Sequence, residues 1–291
     1  MINQKQVALE IESLNNLKTL IETYEEIAAL RMRKIRTTVL QSRDFNRGLN
    51  EVFHQLKISY QNQIRTLVTN KKVKDIEKLS FIKRNGKTIY VFLSANTRLY
   101  GNIVQETFAK LQEYMIHTPA EVAIIGRLGR KQFEAAFPST PFQFFEFPDT
   151  TVEKVQIQGL IQALIEYEKI YIFYGRFETI SQQKPSILDV YGEEAFEAKR
   201  TKSADVKYIF EPSLQEIMIF FEKEIFASIV EQTLRESELA KFAARMIELD
   251  SASENIKSDL KKIQLLGRIN KHRLENKKQQ EATIATLYFN R

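Results

Sequence analysis

The chain has 291 residues, of which 43% are hydrophobic and 27% charged, a globular balance sufficient for one large domain or two small ones. Its 43 Lys and Arg against 37 Asp and Glu leave a formal charge of +6, spread through an acid-rich chain unlike a dedicated nucleic-acid binder. Cysteine is absent, which excludes disulfides, cysteine-ligated zinc, iron–sulfur clusters and cysteine nucleophiles together.

His54, His117 and His272 are too scattered to suggest a metal site. No apolar run approaches the roughly 18 residues of a membrane span. The stretch from Met1 to Leu14 mixes acids with apolar residues and shows no targeting signal. A soluble intracellular protein is expected.

Prolines occur only from Pro119 to Pro212, Gly48 is the only glycine before Gly86, and Gly267 the only one after Gly192. Proline costs a helix interior about 3 kcal/mol and glycine about 1, so both ends are free to form long helices. Periodicity turns that freedom into an expectation. Ile11, Leu14, Leu17, Ile21, Tyr24, Ala28, Met32, Ile35 and Val39 recur in steps of three and four, and the pattern resumes after Gly48. The C-terminal part behaves alike from Ile217 to Ile263. A helix that long cannot bury a one-sided apolar stripe against a small domain and needs a partner along its length. The other terminus supplies one, so an antiparallel coiled coil is the economical solution, with a bundle of shorter helices as the alternative.

The middle reads differently. Asn85-Gly86 between Phe81–Arg84 and Thr88–Leu93 suggests a type I′ hairpin. Further strand-like runs are Val122–Ile125, Phe142–Phe145, Ile170–Phe173 and Val206–Phe210, with helical stretches near Asn102–His117, Arg130–Ala136 and Val152–Tyr167. Strands alternating with helices imply an α/β domain with a partly parallel, Rossmann-like sheet. The expected order is an N-terminal coiled-coil helix over 1–74, an inserted α/β domain over 75–211 and a C-terminal coiled-coil helix over 212–291.

Catalytic motifs do not emerge. Gly126-Arg127-Leu128-Gly129 follows a strand and opens a helix, but it matches neither G-x-G-x-x-G nor G-x-x-x-x-G-K-[ST] and reads better as a tight turn. No G-x-S-x-G, H-E-x-x-H or kinase signature is present. Pairs such as Glu25-Glu26 and Glu193-Glu194 diverge on a helix and suit a solvated surface. Two basic clusters stand out: Arg31, Arg33, Lys34 and Arg36, and then Arg268, Lys271, Arg273, Lys277 and Lys278. They read either as solvated faces with ion pairs or as a positive collar meeting an acidic partner, with phosphate binding a weaker third reading.

Several motifs together resemble the gamma subunit of F-type ATP synthases. Ile27-Ala28-Ala29-Leu30-Arg31-Met32-Arg33-Lys34 is similar to the family's V-A-A-x-K-M/L-R-K, and Ile125–Phe133 carries its G-[RK]-x-G-[RK] segment at Gly126 and Gly129. Phe173–Pro185 resembles Y-N-x-F-x-[NS]-T-M-x-Q-x-P, and Tyr208–Ser213, with Glu211 and Pro212, resembles [FY]-x-[FY]-E-P-[DS]. Glu236-Ser237-Glu238, then Ala243-Ala244-Arg245-Met246 and Asn255, is similar to E-S-x-x-S-E-x-x-A-R-M-x-A-M-x-x-A-[ST]-x-N with one residue of slippage near Leu239. Where the family has S-x-D-R-G-L-C-G, this chain reads Ser94-Ala95-Asn96-Thr97-Arg98-Leu99-Tyr100-Gly101, keeping Ser94, Leu99 and Gly101. Tyr24 replaces a usual Met, and the family's C-terminal I-T-x-E and small-residue tail are absent.

The resemblance implies a rotor: a coiled coil turning inside a ring of alpha and beta subunits, with an epsilon-type subunit and the membrane c-ring below. It implies no catalytic, cofactor or metal residues in this chain, the ATP, ADP and Mg lying on beta subunits. It further implies a peripheral place at the cytoplasmic face of a bacterial membrane and indirect membrane association. Arg31, Arg33, Lys34, Arg36, Arg268, Lys271 and Arg273 would contact partners. A derived rotary ATPase driving other work, or a non-rotary scaffold, are the alternatives.

Overall fold

The computed structural model describes residues 4–60, 64, 82–149, 154–191, 211 and 213–289. In chain order these form α1 (Gln4–Ser59), β1 (Thr88–Leu93), α2 (Ile103–His117), β2 (Glu121–Ile125) and α3 (Arg127–Ala136). There follow β3 (Gln143–Phe145), α4 (Lys154–Leu164), β4 (Lys169–Phe177), β5 (Gln183–Asp189) and α5 (Leu214–Phe289). The expected strand Val206–Phe210, the pair Glu193-Glu194 and Pro212 lie outside the described residues. Among the described residues no helix is long and apolar enough to cross a membrane.

The chain divides into two compact units, residues 1–30 with 245–291, and residues 31–244. In the first, the two helix ends pair antiparallel: a Cβ on Gly267 would stand 3.1 Å from Val7 Cγ1, and Glu22 acts electrostatically on Lys257. Val7, Ile11, Leu14, Ile21 and Ala28 turn inward, but Leu17 and Tyr24 do not, being 44% and 52% exposed. The inward places between them are taken by half-buried Lys18 and Glu25. The seam follows the strict alternation of fours and threes that two paired helices require, and an apolar residue one step off that line stays in water. Beyond the pairing, every described side chain of α5 from Lys271 to Thr283 is exposed.

In the second unit a five-stranded sheet runs β3-β2-β1-β4-β5, all parallel except β5, which is antiparallel to β4. β1 is central and almost wholly buried, as a parallel strand covered on both faces should be. Alternation divides its side chains. Ile89, Val91 and Leu93 join Leu160 and Leu164 of α4 and Phe53, Met218 and Phe226 of the long helices. Tyr90 and Phe92 face the other way, with Phe108 and Leu111 of α2 and Phe133 of α3.

One expectation fails in this unit, and one strand is added. The Asn85-Gly86 hairpin does not form: β1 has parallel neighbours on both sides, and among the described non-glycine residues only Leu99 has positive φ, so Asn85 cannot take its place in a type I′ turn. Asn85 instead accepts the Lys87 backbone N–H at 2.8 Å. β5 has no counterpart among the expected strand runs and contains Pro185. Proline is accommodated because β5 is the edge strand and its ladder runs to β4 on one side only.

Candidate functional site

The C-terminal ends of β1, β2 and β3 gather the separated motifs in one place. Ser94 extends β1, donating its N–H to Ile125 O at 2.9 Å. Glycine is needed at the two neighbouring turns for close approach. A Cβ on Gly126, where φ is +99°, would lie 2.8 Å from the backbone N and O of Ala95. One on Gly129 would lie 2.5 Å from Ser94 Cβ and 2.8 Å from Phe92 Cε1. The start of α3 has its amides engaged by protein: Arg127 N–H donates to Asn96 Oδ1 at 2.9 Å and Leu128 N–H to Ala95 O at 2.8 Å. The turn is thus used to seat helix on strand, and the space a phosphate would take at a glycine-rich loop is filled by residues 92–96.

Asp149 holds the loop that follows β1. Its carboxylate accepts the N–H groups of Asn96 and Thr97 at 2.9 and 2.8 Å and the Thr97 hydroxyl at 2.9 Å. Asn96 also donates from Nδ2 to Phe147 O. The loop then presents Leu99 with φ 73° and 62% exposure, and turns back through buried Tyr100 and Gly101 at φ 54°. A left-handed leucine costs about 1–2 kcal/mol, a strain these hydrogen bonds offset.

Helix α5 closes the same edge with Ser237, Glu238 and Lys241. Lys241 Nζ donates to Ser94 O at 2.8 Å. Burial pulls its ammonium below the usual lysine range, opposed by the carboxylates of Asp149 and Glu238. Burial likewise raises the Glu238 carboxyl, opposed by Arg235, Lys241 and Arg31. One turn back, Glu236 is buried and takes the Arg43 guanidinium, with Nε at 2.8 Å. Tyr174 packs beside it, its phenol pushed up to about 12 chiefly by burial and then by the Glu236 charge.

The slippage expected near Leu239 is not needed, because the quoted motif counts through from Glu236 to Asn255 without a gap. Counted without a gap, Ala240 and Lys241 stand at the S-E of the quoted motif, a reversal of charge answered here by Asp149 and Glu238. Reading the motifs missed Lys241 and Asp149 as members of this cluster. The available signal was a lysine inside an apolar stretch of α5, between Ala240 and Phe242.

The basic residues are placed as follows. In the second unit, Arg33, Lys34 and Arg36 are exposed on α1, while half-buried Arg31 lies over the Phe242 ring at 5.7 Å. In the first unit, Arg268, Lys271 and Arg273 are exposed on α5. Arg245 and Met246 are half-buried, Asn255 and Glu211 exposed. Among the described residues no group of three or more His, Cys, Asp or Glu could hold a metal ion.

Comparison with known proteins bears on this arrangement. A family model described as ATP synthase matches residues 3–279. The ATP synthase gamma chain of Pelotomaculum thermopropionicum is 22% identical over 252 residues, 84% of each chain. That of Desulfitobacterium hafniense is 22% identical over 275 residues, 91% of each. Among solved structures, a chain from the central stalk and c-ring of Tetrahymena thermophila mitochondrial ATP synthase aligns at TM-score 0.55 with 16% identity. That alignment covers 80% of this chain and 99% of the other, and it speaks for a shared fold.

Proposed function

The chain belongs to the gamma family of ATP synthases, and on that premise we propose that it is the central-stalk rotor of a rotary ATP synthase. The family match runs over residues 3–279, from the first turn of α1 far into α5, and this carries the reading. A module borrowed for another purpose would share the α/β part and not both helices. The proposed partners are a ring of alpha and beta subunits around the paired helices, an epsilon-type subunit, and a c-ring that links the complex to ion movement. The chain would be held peripherally at the cytoplasmic face of the membrane through those partners.

In this reading the chain is non-catalytic. ATP, ADP and Mg would bind on beta subunits, and Gly126 and Gly129 are occupied in seating α3 on residues 92–95. The rotor's part is mechanical: a stiff, asymmetric pair of helices pushes each beta subunit in turn. Exposed ion pairs are worth about 0–1 kcal/mol, so Arg33, Lys34, Arg36, Arg268, Lys271 and Arg273 would share the contact and no one of them would carry it.

Native mass spectrometry of the complex purified through this subunit tests the reading. One copy with three alpha-type and three beta-type partners and a c-ring is expected of a synthase. A hexamer that lacks the c-ring, under conditions that preserve one in a control synthase, would instead identify a rotary ATPase serving other work. Recovery of this chain alone, as dimers or rods, would overturn the rotor.

A further inference from the structure

Between α5 and the ends of β1 and β2 lies a cavity of about 30 Å³, lined by Ser94, Gly126, Asp149, Ser237, Glu238 and Lys241 among others. Two polar atoms of its lining residues, Ser237 Oγ and Glu238 Oε2, are buried without a hydrogen-bond partner from the protein. Their residues are only 2% and 8% exposed. Arg235 Nη1 stands 3.5 Å from Glu238 Oε2, an ion pair too long to satisfy it as a hydrogen bond. Leaving such atoms unsatisfied costs roughly 1–3 kcal/mol each, and more for a charged group, so two of them beside the Lys241 ammonium around one small space call for a ligand.

We propose that this cavity binds a single water molecule, which completes a polar key between Lys241 and Glu238 of α5 and Ser94 of the sheet. Size and chemistry select water. A water needs roughly 10–15 Å³ of such volume and two to four polar partners, and both are met here. A metal cation would have the Lys241 ammonium at the same cavity wall, which repels it. An anion would face Glu238 and Asp149. Water accepts from Lys241 and a serine hydroxyl and donates to Glu238, which satisfies all of them at once.

The key matters because the buried α5 residues next to it are small. Ala240, Ala243 and Ala244 present only methyl groups, and packing of methyl groups resists rotation of a helix about its own axis weakly. Directional hydrogen bonds resist it more strongly. At this edge Lys241 and the water therefore add to the hold on the rotational register of α5 that Glu236 gives beside Tyr174, whatever larger assembly the chain serves. The charged groups facing the key are Glu238, Arg235 and Lys241 on α5, Arg31 on α1 and Asp149 on the loop after β3.

Two measurements on the purified complex test this. An experimental structure that resolves ordered water should show one peak within hydrogen-bonding reach of Lys241 Nζ, Glu238 Oε2 and a serine hydroxyl. No peak there, while surrounding waters are visible, or a peak with the anomalous signal of an ion, would overturn the site. The absence of cysteine allows spin labels at Ala135→Cys on α3 and Glu224→Cys on α5. Lys241→Met should add a second population to the label-to-label distance with helicity retained; an unchanged single distribution would overturn the key. Should Lys241→Met not fold, Ser237→Val, which fills the cavity, is expected to give the same second population.

Discussion

Arg84 and Glu222, 138 positions apart, form a buried ion pair with Nη2 to Oε1 at 2.7 Å and side chains only 9% and 10% exposed. The Arg84 guanidinium also stacks on the Tyr191 ring at 3.6 Å, and Tyr191 stacks in turn on Phe226 at 5.8 Å. Three separate stretches of chain, before β1, after β5 and in the first third of α5, are thereby fastened together.

Removing one member of such a pair leaves a buried charge alone. Glu222→Ala should lower stability to urea by about 3–5 kcal/mol, whereas the double replacement Arg84→Met with Glu222→Met should lose much less. Denaturation midpoints of the single and double variants decide it. A small loss in Glu222→Ala with a larger one in the double variant would mean that stacking of Arg84 on Tyr191, and not the charge pair, provides the fastening.

The glycines divide by what a methyl group would meet. Gly126→Ala sets a Cβ against the Ala95 backbone at positive φ and should cost about 2–4 kcal/mol. Gly48 and Gly159 lie inside α1 and α4 with nothing within 4 Å, so alanine there should add about 0.4–1 kcal/mol. Melting temperatures should therefore move in opposite directions; a fall at all three positions would contradict the packing described.

Tyr167, Tyr174 and Tyr191 are each pushed up to about 12, in every case first by burial; Glu121 adds to the effect on Tyr167 and Glu236 on Tyr174. A phenol whose folded value lies above its unfolded value of about 10 stabilises the fold fully below pH 10 and loses that contribution as pH rises toward 12. Stability should fall across this interval, and ultraviolet titration should show late-ionising tyrosines that become ordinary in urea. Glu121→Gln should bring Tyr167 down. A titration identical in native and unfolded protein would refute this.

Arg33 and Arg273 are exposed, and single exposed charges contribute little. Arg33→Ala or Arg273→Ala alone should leave most ATP turnover of the assembled complex intact. A tenfold loss from either would show that one residue carries the coupling.

Much of this architecture was legible because its signals are long-range repeats. Fifty-six and seventy-six helical residues spread their apolar pattern over many turns, and β1, β2 and β4 are buried runs between helical stretches. Leu17 and Tyr24 misled because a one-step offset from the seam cannot be told from sequence until the partner helix is placed. Asn85-Gly86 misled because turn chemistry is local, while the pairing of β1 with β2 and β4 is decided by packing on both faces of the sheet. Pro185 hid β5, since only its position at the sheet edge makes proline acceptable. The motifs marked Ser94, Gly126 and Gly129 but not their meeting point. Lys241 and Asp149 acquire a role only once α5 lies across the strand ends, and that juxtaposition is tertiary.

Rotation itself tests the central claim most directly. The hexamer would be fixed to a surface through its beta subunits and a bead attached to the α/β part of this chain through an engineered cysteine at Ala135. ATP should drive sustained, stepwise rotation in one direction, in proportion to turnover. Full ATP hydrolysis with a stationary or freely fluctuating bead would contradict the assignment of this chain as the rotor.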